Sequence, residues 1–312
     1  TFKIFTLAAA LQQGIGLDTY YSSAPYQLPG SQVVTNVDGG CGSCSIAEAM
    51  KKSYNTSFLR LQDDLENRTQ DTADMAHALG IAKSLPGIDK TLSEKGGTPF
   101  EGVVLGQYQS RPLDMASAMA TLTNGGVWHQ PHFVQKVETT GGEVLYEFDD
   151  KGGERRVSAN VANNVLKAML PVAGWSNGAL AGGRESASKT GTTQLGDTGN
   201  NKDAWMVGST PQLATAVWVG TADNTSAIFN SYGGIMYGSN SPTQIWKQIL
   251  DTSLANAEYK SFPQAYPVRY GNGNWGSGYT GSYDSSYNSG TAGSDSNTAP
   301  EQDAQAPTPA PE

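Results

Sequence analysis

The spacing of apolar residues changes period along this chain, and that change restricts the folds open to it. Ile4, Phe5, Leu7, Ala8 and Leu11 recur at helical spacing, predicting a helix over Thr1 to Gln13 that Gly14 and Gly16 end. Ser45-Ile46-Ala47-Glu48 is a capping-box pattern. It opens a second helix, with Ala47, Ala49 and Met50 inward, that runs into Lys52-Ser53-Tyr54-Asn55. A third helix covers about Asp71 to Leu79, and a fourth runs from Pro112 to the stop Asn124-Gly125-Gly126. Phe133 to Glu138 and Val144 to Phe148 flank Thr140-Gly141-Gly142, a hairpin signal. Ser158 caps a helix through Leu170. From Ser186 the period is two: Ser186 to Thr193, Trp205 to Ser209 and Leu213 to Val219 read as strands, and Pro242 to Leu254 as a last helix. The order implies an α+β fold with an antiparallel sheet covered by helices.

Charge narrows the function classes. The 312 residues include 20 basic and 29 acidic side chains, net −9, with no long Lys/Arg cluster. A nucleic-acid binder driven by phosphate contacts is thereby excluded. No apolar run reaches the roughly 18–20 residues that span a bilayer. The chain begins at Thr1-Phe2-Lys3 without a Met, which suggests a cleaved protein or a piece of a longer one.

Residues 270–312 hold Asp284, Asp295, Glu301, Asp303 and Glu312, no Lys or Arg, and no Val, Ile, Leu, Met or Phe. Such a segment cannot bury enough apolar surface to offset chain entropy. We expect a C-terminal extension over 257–312, disordered from about 270. A spacer is the plain reading; Tyr270, Tyr279, Tyr283 and Tyr287 would suit a wall- or partner-binding role.

The two cysteines form Cys41-Gly42-Ser43-Cys44. A thioredoxin-like redox pair would need a strand before the motif, and here a Val/Asn/Asp/Gly loop precedes it. A zinc site would need more ligands, and His77, His129 and His132 are scattered. In an exported protein the pair reads as a short local disulfide pinning a loop. Neither a metal nor a cofactor is expected.

Three short elements could carry chemistry. Ser53-Tyr54-Asn55 ends a helix; the same S-x-N pattern recurs at Ser158-Ala159-Asn160 and Ser286-Tyr287-Asn288, so its position distinguishes it. Lys189-Thr190-Gly191-Thr192-Thr193 holds the one K-[ST]-G of the chain. Strand alternation sends Lys189, Gly191 and Thr193 one way and Thr190 and Thr192 the other, unless a bulge or twist at Gly191 intervenes. The plain alternative is an ordinary edge strand. Lys3 lies on the first helix, where a lysine is usually a solvated surface group.

Together these resemble the S-x-x-K, S-x-N and K-T-G triple of penicillin-binding proteins and class A β-lactamases. Thr1-Phe2-Lys3 looks like the end of S-T-F-K, with the serine expected just before Thr1. The complete S-x-x-K in the chain, Ser186-Ala187-Ser188-Lys189, is a decoy, because i and i+3 point to opposite faces of a strand. Asn201-Lys202-Asp203-Ala204-Trp205-Met206-Val207-Gly208 and Ala216-Val217-Trp218-Val219-Gly220 resemble stretches of class A (bifunctional) penicillin-binding proteins. So do Leu105-Gly106-Gln107 and Pro112-Leu113-Asp114-Met115-Ala116. The resemblance implies a penicillin-binding/serine β-lactamase-like fold over 1–256.

It also implies roles. Lys3 would be the base, one helical turn from the serine, and Lys189 a second cation that depresses its pKa. Ser53 would relay a proton, and Asn55 would orient Lys3 and bind the substrate amide. The Thr192 N–H would join that of the serine in an oxyanion hole. Thr190 and Thr192, either side of Gly191, would bind a terminal carboxylate. The implied reaction is D,D-transpeptidation of peptidoglycan stem peptides ending in D-Ala-D-Ala, with β-lactams as inhibitors. Cell-wall assembly proteins are implied partners. The implied site is the outer face of the bacterial plasma membrane, anchored by a segment preceding Thr1. Without that serine the chain is expected to be inactive. Hydrolysis at the same centre would make a D,D-carboxypeptidase. A non-catalytic fragment that binds peptidoglycan or a partner, and an N-terminal nucleophile at Thr1, are the competing readings. A class A β-lactamase is disfavoured, because no E-x-x-L-N pattern is present.

Overall fold

A helix that is apolar on every side must be surrounded. In the computed structural model, which describes residues 1–30, 33–94 and 97–268, the first helix meets that requirement. α1 (Lys3–Gln12) is buried without interruption from Lys3 to Leu11. Burial of each large side chain among Ile4, Phe5, Leu7 and Leu11 contributes roughly 1.5–3 kcal/mol. Short strands β1 (Tyr20–Ser22), β2 (Tyr26–Gln27), β3 (Val33–Val34) and β4 (Ser43–Ser45) follow, pairing antiparallel as β1–β4 and β2–β3. Then come α2 (Ile46–Lys52), α3 (Asn55–Asp63) and α4 (Thr69–Leu79), a 3-10 turn at Glu101–Leu105, and α5 (Pro112–Thr123).

Strands β5 (Val127–Trp128), β6 (Lys136–Glu138), β7 (Val144–Glu147) and β8 (Glu154–Arg155) make an outlying pair of two-stranded ribbons, β5–β8 and β6–β7. α6 (Ala159–Trp175) leads into the main sheet of β9 (Ala187–Gln194), β10 (Asn201–Ser209) and β11 (Ala214–Gly220), and α7 (Ser241–Ser253) closes the fold. The sheet is antiparallel in the order β11-β10-β9, so β9 is an edge strand. α6 packs on β9, while α5 and α7 pack on β10 and β11. The fold is thus an antiparallel sheet covered by helices. Among the described residues no helix is long and apolar enough to cross a membrane.

Several boundaries differ from expectation for identifiable reasons. α3 was not expected, because its buried face carries Thr56, Ser57 and Gln62 beside Phe58, Leu59 and Leu61. In α2, Ile46 is buried with Ala49 and Met50, and Ala47 is only half-buried. α6 continues past Leu170 to Trp175 through Pro171. Pro171 and Lys167, whose carbonyl the ring leaves unbonded, are both exposed, so water can serve that carbonyl.

No bulge marks Gly191. The β9–β10 register runs unbroken from Ala187 to Thr193, and the shift falls between Asn201 and Asp203. An edge strand makes the bulge unnecessary, because the long Lys189 side chain returns to the backbone of its own strand. The start of the expected extension, 257–268, packs on the same body. Tyr266 is held by Asn160 and Asn164 of α6, and the Phe262 N–H donates to Glu185. Side-chain amides thus keep 257–268 on the same body although its apolar content is low. The disorder expected from about 270 lies outside the described residues.

Candidate active site

Three distant segments supply one buried polar cluster. Lys3, in the first turn of α1, is 5% exposed, and Lys189, on β9, is 1% exposed. Ammonium groups at that depth need acceptors. Lys3 Nζ donates to Asn55 Oδ1 at 2.8 Å. Lys189 Nζ donates to Ser53 Oγ at 2.7 Å and to Thr190 O at 3.0 Å, and lies 3.5 Å from Thr190 Oγ1. The turn between α2 and α3 therefore serves both lysines, one through Ser53 and one through Asn55.

That turn is built at a conformational cost. Ser53 is the C-cap of α2 at φ 59, ψ 36, in the left-handed region. Glycine is the inexpensive residue there. A serine with its hydroxyl on a buried lysine points to chemistry rather than to chain reversal.

Electrostatics follow from the packing. Burial pushes Lys3 down to about 8. Burial, and next the charge of Lys3, draw Lys189 well below the ordinary lysine range. Two cations that share a dry site give up protons more readily than either would in water.

Gly191 lets α1 approach the sheet. A Cβ there would fall 2.9 Å from Thr1 Cγ2 and 3.0 Å from Thr1 N. On the other side Gly238 lies against the Gly191 backbone, where a Cβ would collide with Gly191 O and Trp205 O. The Gly238 N–H donates to Thr192 Oγ1 at 3.2 Å. A cleft of about 360 Å³ opens in front of Thr1, Gly191, Thr192 and Thr193 and extends to Trp205 and Trp218. The two lysines stand behind this wall rather than lining it.

Sequence reasoning did not assign Thr193, Trp205 or Trp218 to the site. Trp205 pairs with Gly191 across the strands and so shares its face, and Trp218 is its partner on β11. The Trp218 indole N–H donates to Asp203 Oδ1 at 2.6 Å. Period-two counting from Gly191 through the register would have found Trp205. The decoy Ser186 lies just ahead of β9 and bonds to neither lysine. Cys41, on the loop entering β4, and Cys44, within β4, are joined as a disulfide with Cα atoms 6.0 Å apart.

The penicillin binding protein transpeptidase domain family matches residues 1–251. This chain belongs to that family. Penicillin-binding protein 1A of Mycolicibacterium smegmatis is 55% identical over 269 residues, 85% of this chain and 34% of the relative. Penicillin-binding protein 1A of Mycobacterium tuberculosis is 52% identical over 274 residues, 86% of this chain and 33% of the relative. The transpeptidase-family chain thus spans about a third of the length of these relatives. The solved structure of the PonA1 protein from Mycobacterium tuberculosis in complex with penicillin V superimposes with a TM-score of 0.82 at 52% identity. That match covers 86% of this chain and 71% of the other. Fold neighbours and sequence relatives therefore agree on a class A penicillin-binding transpeptidase domain. The cluster of Lys3, Ser53, Asn55 and Lys189 is the feature of this domain that most needs a chemical explanation.

Proposed function

We propose that this chain is the acyl-transfer part of a D,D-transpeptidase that cross-links peptidoglycan stem peptides and is acylated by β-lactams. The carrying observation is the pair of buried lysines, one on Asn55 and one on Ser53. The nucleophile in this reading is a serine immediately before Thr1. Thr1 O accepts from the Ile4 N–H at 3.2 Å, a turn that leads into α1, and in a helical continuation of that turn a residue before Thr1 lies one turn from Lys3.

Lys3, neutral for part of the time near pH 8, takes the serine proton. The oxygen attacks the carbonyl carbon between the two D-alanines, and the oxyanion is held by N–H groups including that of Thr192. The C–N bond breaks, and Ser53, hydrogen-bonded to Lys189, returns a proton to the leaving D-alanine. The amine of a second stem peptide resolves the ester; water in its place gives a carboxypeptidase. Thr190 and Thr192 bind the terminal carboxylate, beside the charge of Lys189. A β-lactam enters the same route but keeps its leaving group attached. No cofactor is required. The parent protein in this reading is bifunctional, anchored by a segment before Thr1, and works on the outer face of the plasma membrane with cell-wall assembly partners. The Cys41–Cys44 disulfide fits that oxidising location.

Labelling by a fluorescent penicillin tests the reading. The chain extended by a serine before Thr1 takes up one label per molecule, and its serine→alanine counterpart takes none. Equal labelling of the two would remove the proposed nucleophile. Labelling of the unextended chain that disappears in Thr1→Ala would favour Thr1 instead.

A further inference from the structure

The turn carrying Ser53 and Asn55 is not capped from within. Tyr54, the N-cap of α3, makes no side-chain cap bond. Asn36, far upstream, does the work. Its Oδ1 accepts from the Thr56 N–H at 3.1 Å, and its Nδ2 donates to Thr56 Oγ1 at 2.8 Å and to Ser23 O at 2.9 Å. Thr56 is fully buried, so those groups have no water to fall back on. Beside it, Asn55 Nδ2 points at Thr35 O, 3.5 Å away. The Asn55 amide is thereby turned so that its carbonyl oxygen faces Lys3.

The loop bearing Thr35 and Asn36 is itself tied down. Ser23 is its anchor: the Ser23 N–H donates to Gly42 O at 2.8 Å, and the Cys41 N–H donates to Ser23 Oγ at 2.7 Å. Gly40, at φ +128, brings the backbone against Ser23, where a Cβ would meet Ser23 Oγ at 2.5 Å. The Cys41–Cys44 disulfide closes this short loop around the end of β1, and Cys44 pairs with Tyr21 in the β1–β4 ladder. A continuous set of contacts therefore runs from the disulfide through Ser23, Asn36 and Thr56 to Asn55 and Lys3.

We propose that Asn36, held by the Cys41–Cys44 loop, is a positioning residue that sets the Asn55–Lys3 hydrogen bond for acylation. The inference rests on the transpeptidase reading above. Asn36 touches no reacting atom; its effect is on the rate of the acylation step, not on ligand capture.

The test uses saturation kinetics of labelling by a fluorescent penicillin on the chain extended by a serine before Thr1. Asn36→Ala lowers the limiting acylation rate about tenfold and leaves the half-saturating concentration within about twofold. Asn36→Asp keeps an acceptor for the Thr56 N–H but loses the donation to Ser23 O, and its limiting rate falls between those of Asn36→Ala and the parent. Cys41→Ser/Cys44→Ser lowers it by a smaller factor, about threefold. A thermal melt accompanies each variant. A parent that takes no label overturns the transpeptidase reading and this inference together. A labelled parent whose Asn36→Ala variant acylates at the parental limiting rate overturns the inference alone. Should Asn36→Ala lose its cooperative melt, the cysteine double variant decides. A folded double variant with a slower limiting rate supports the inference, and one at the parental rate overturns it.

Discussion

Two regions of this domain bury cations, and they treat them in opposite ways. Behind α7, Arg184 is 7% exposed and both of its terminal nitrogens are engaged. Nη1 donates to Gln212 Oε1 at 3.0 Å and Glu258 O at 2.9 Å; Nη2 donates to Leu254 O at 2.9 Å and Ala257 O at 2.8 Å. The Tyr259 ring covers it, with the guanidinium carbon 4.2 Å from the centroid. These acceptors include the carbonyl of Leu254, the C-cap of α7, where a cation is favoured. At the other site, Lys3 has the Asn55 oxygen and Lys189 has Ser53 and Thr190, with little else. A rich acceptor shell turns a buried charge into a clamp on the backbone. A sparse shell around two neighbouring charges leaves protons that can move.

Substitutions can break the comparison on either side. The largest effect expected is on chemistry. In the serine-extended chain, Lys189→Ala slows acylation by about a thousandfold, within the range for loss of a proton-transfer group. Its melting temperature stays near that of the parent. An unchanged acylation rate would remove Lys189 from the mechanism.

Arg184→Met reverses the pattern. It removes four charge-assisted hydrogen bonds, one buried and three part-buried, so urea titration should show a loss of roughly 3–4 kcal/mol. Surviving folded protein acylates at the parental rate. A loss under 1 kcal/mol would mean that the clamp is dispensable.

A pH series separates the two regions without touching Arg184. Lys3 is lowered from 10.5 to about 8 in the folded state, so between those values the unfolded chain holds the extra proton. Stability therefore rises with pH through that window, and the burden on the fold is full below about 8. The share of the swing that Lys3 contributes is about 3 kcal/mol. Tyr26 and Tyr108, both pushed up to about 12 mainly by burial, act the other way above pH 10. The clean interval is therefore pH 8 to 10. Lys3→Met should lessen the rise there and leave the share that Lys189 contributes; a parent whose stability is level over that interval would contradict the assignment.

Much of this was legible in the sequence, and the failures share a cause. Ser45 and Ser158 cap their helices as their patterns predict, accepting from Glu48 N at 3.3 Å and Val161 N at 3.2 Å. The change to a period of two marked the sheet, but its second strand was read only from Trp205, because β10 is mostly buried on both faces from Asn201 to Ser209 and does not alternate. Strands such as β2 and β3 hold two residues each, too few to show any period. α3 hid because its buried face is partly polar, and Asn36 because its partner Thr56 is distant in sequence. The lysine cluster was legible only as three matching motifs. Their meeting depends on Gly191 and on the Ser53 turn, which no local pattern announces.

The smallest effect concerns that turn. Ser53→Gly removes an unfavourable left-handed conformation, a gain of roughly 1 kcal/mol, and takes one acceptor from the buried Lys189, a loss of similar size, so its melting temperature should stay close to that of the parent. Acylation should fall all the same. Parental acylation in Ser53→Gly would show that the serine serves the fold rather than the chemistry.

The contrast between clamp and proton carrier is tested most directly by NMR titration of protein labelled with ¹³C at the lysine Cε. The account predicts one signal, absent in Lys3→Met, that titrates near 8, and another, absent in Lys189→Met, that titrates below the ordinary lysine range. Both signals titrating at the ordinary value of 10.5 would contradict it.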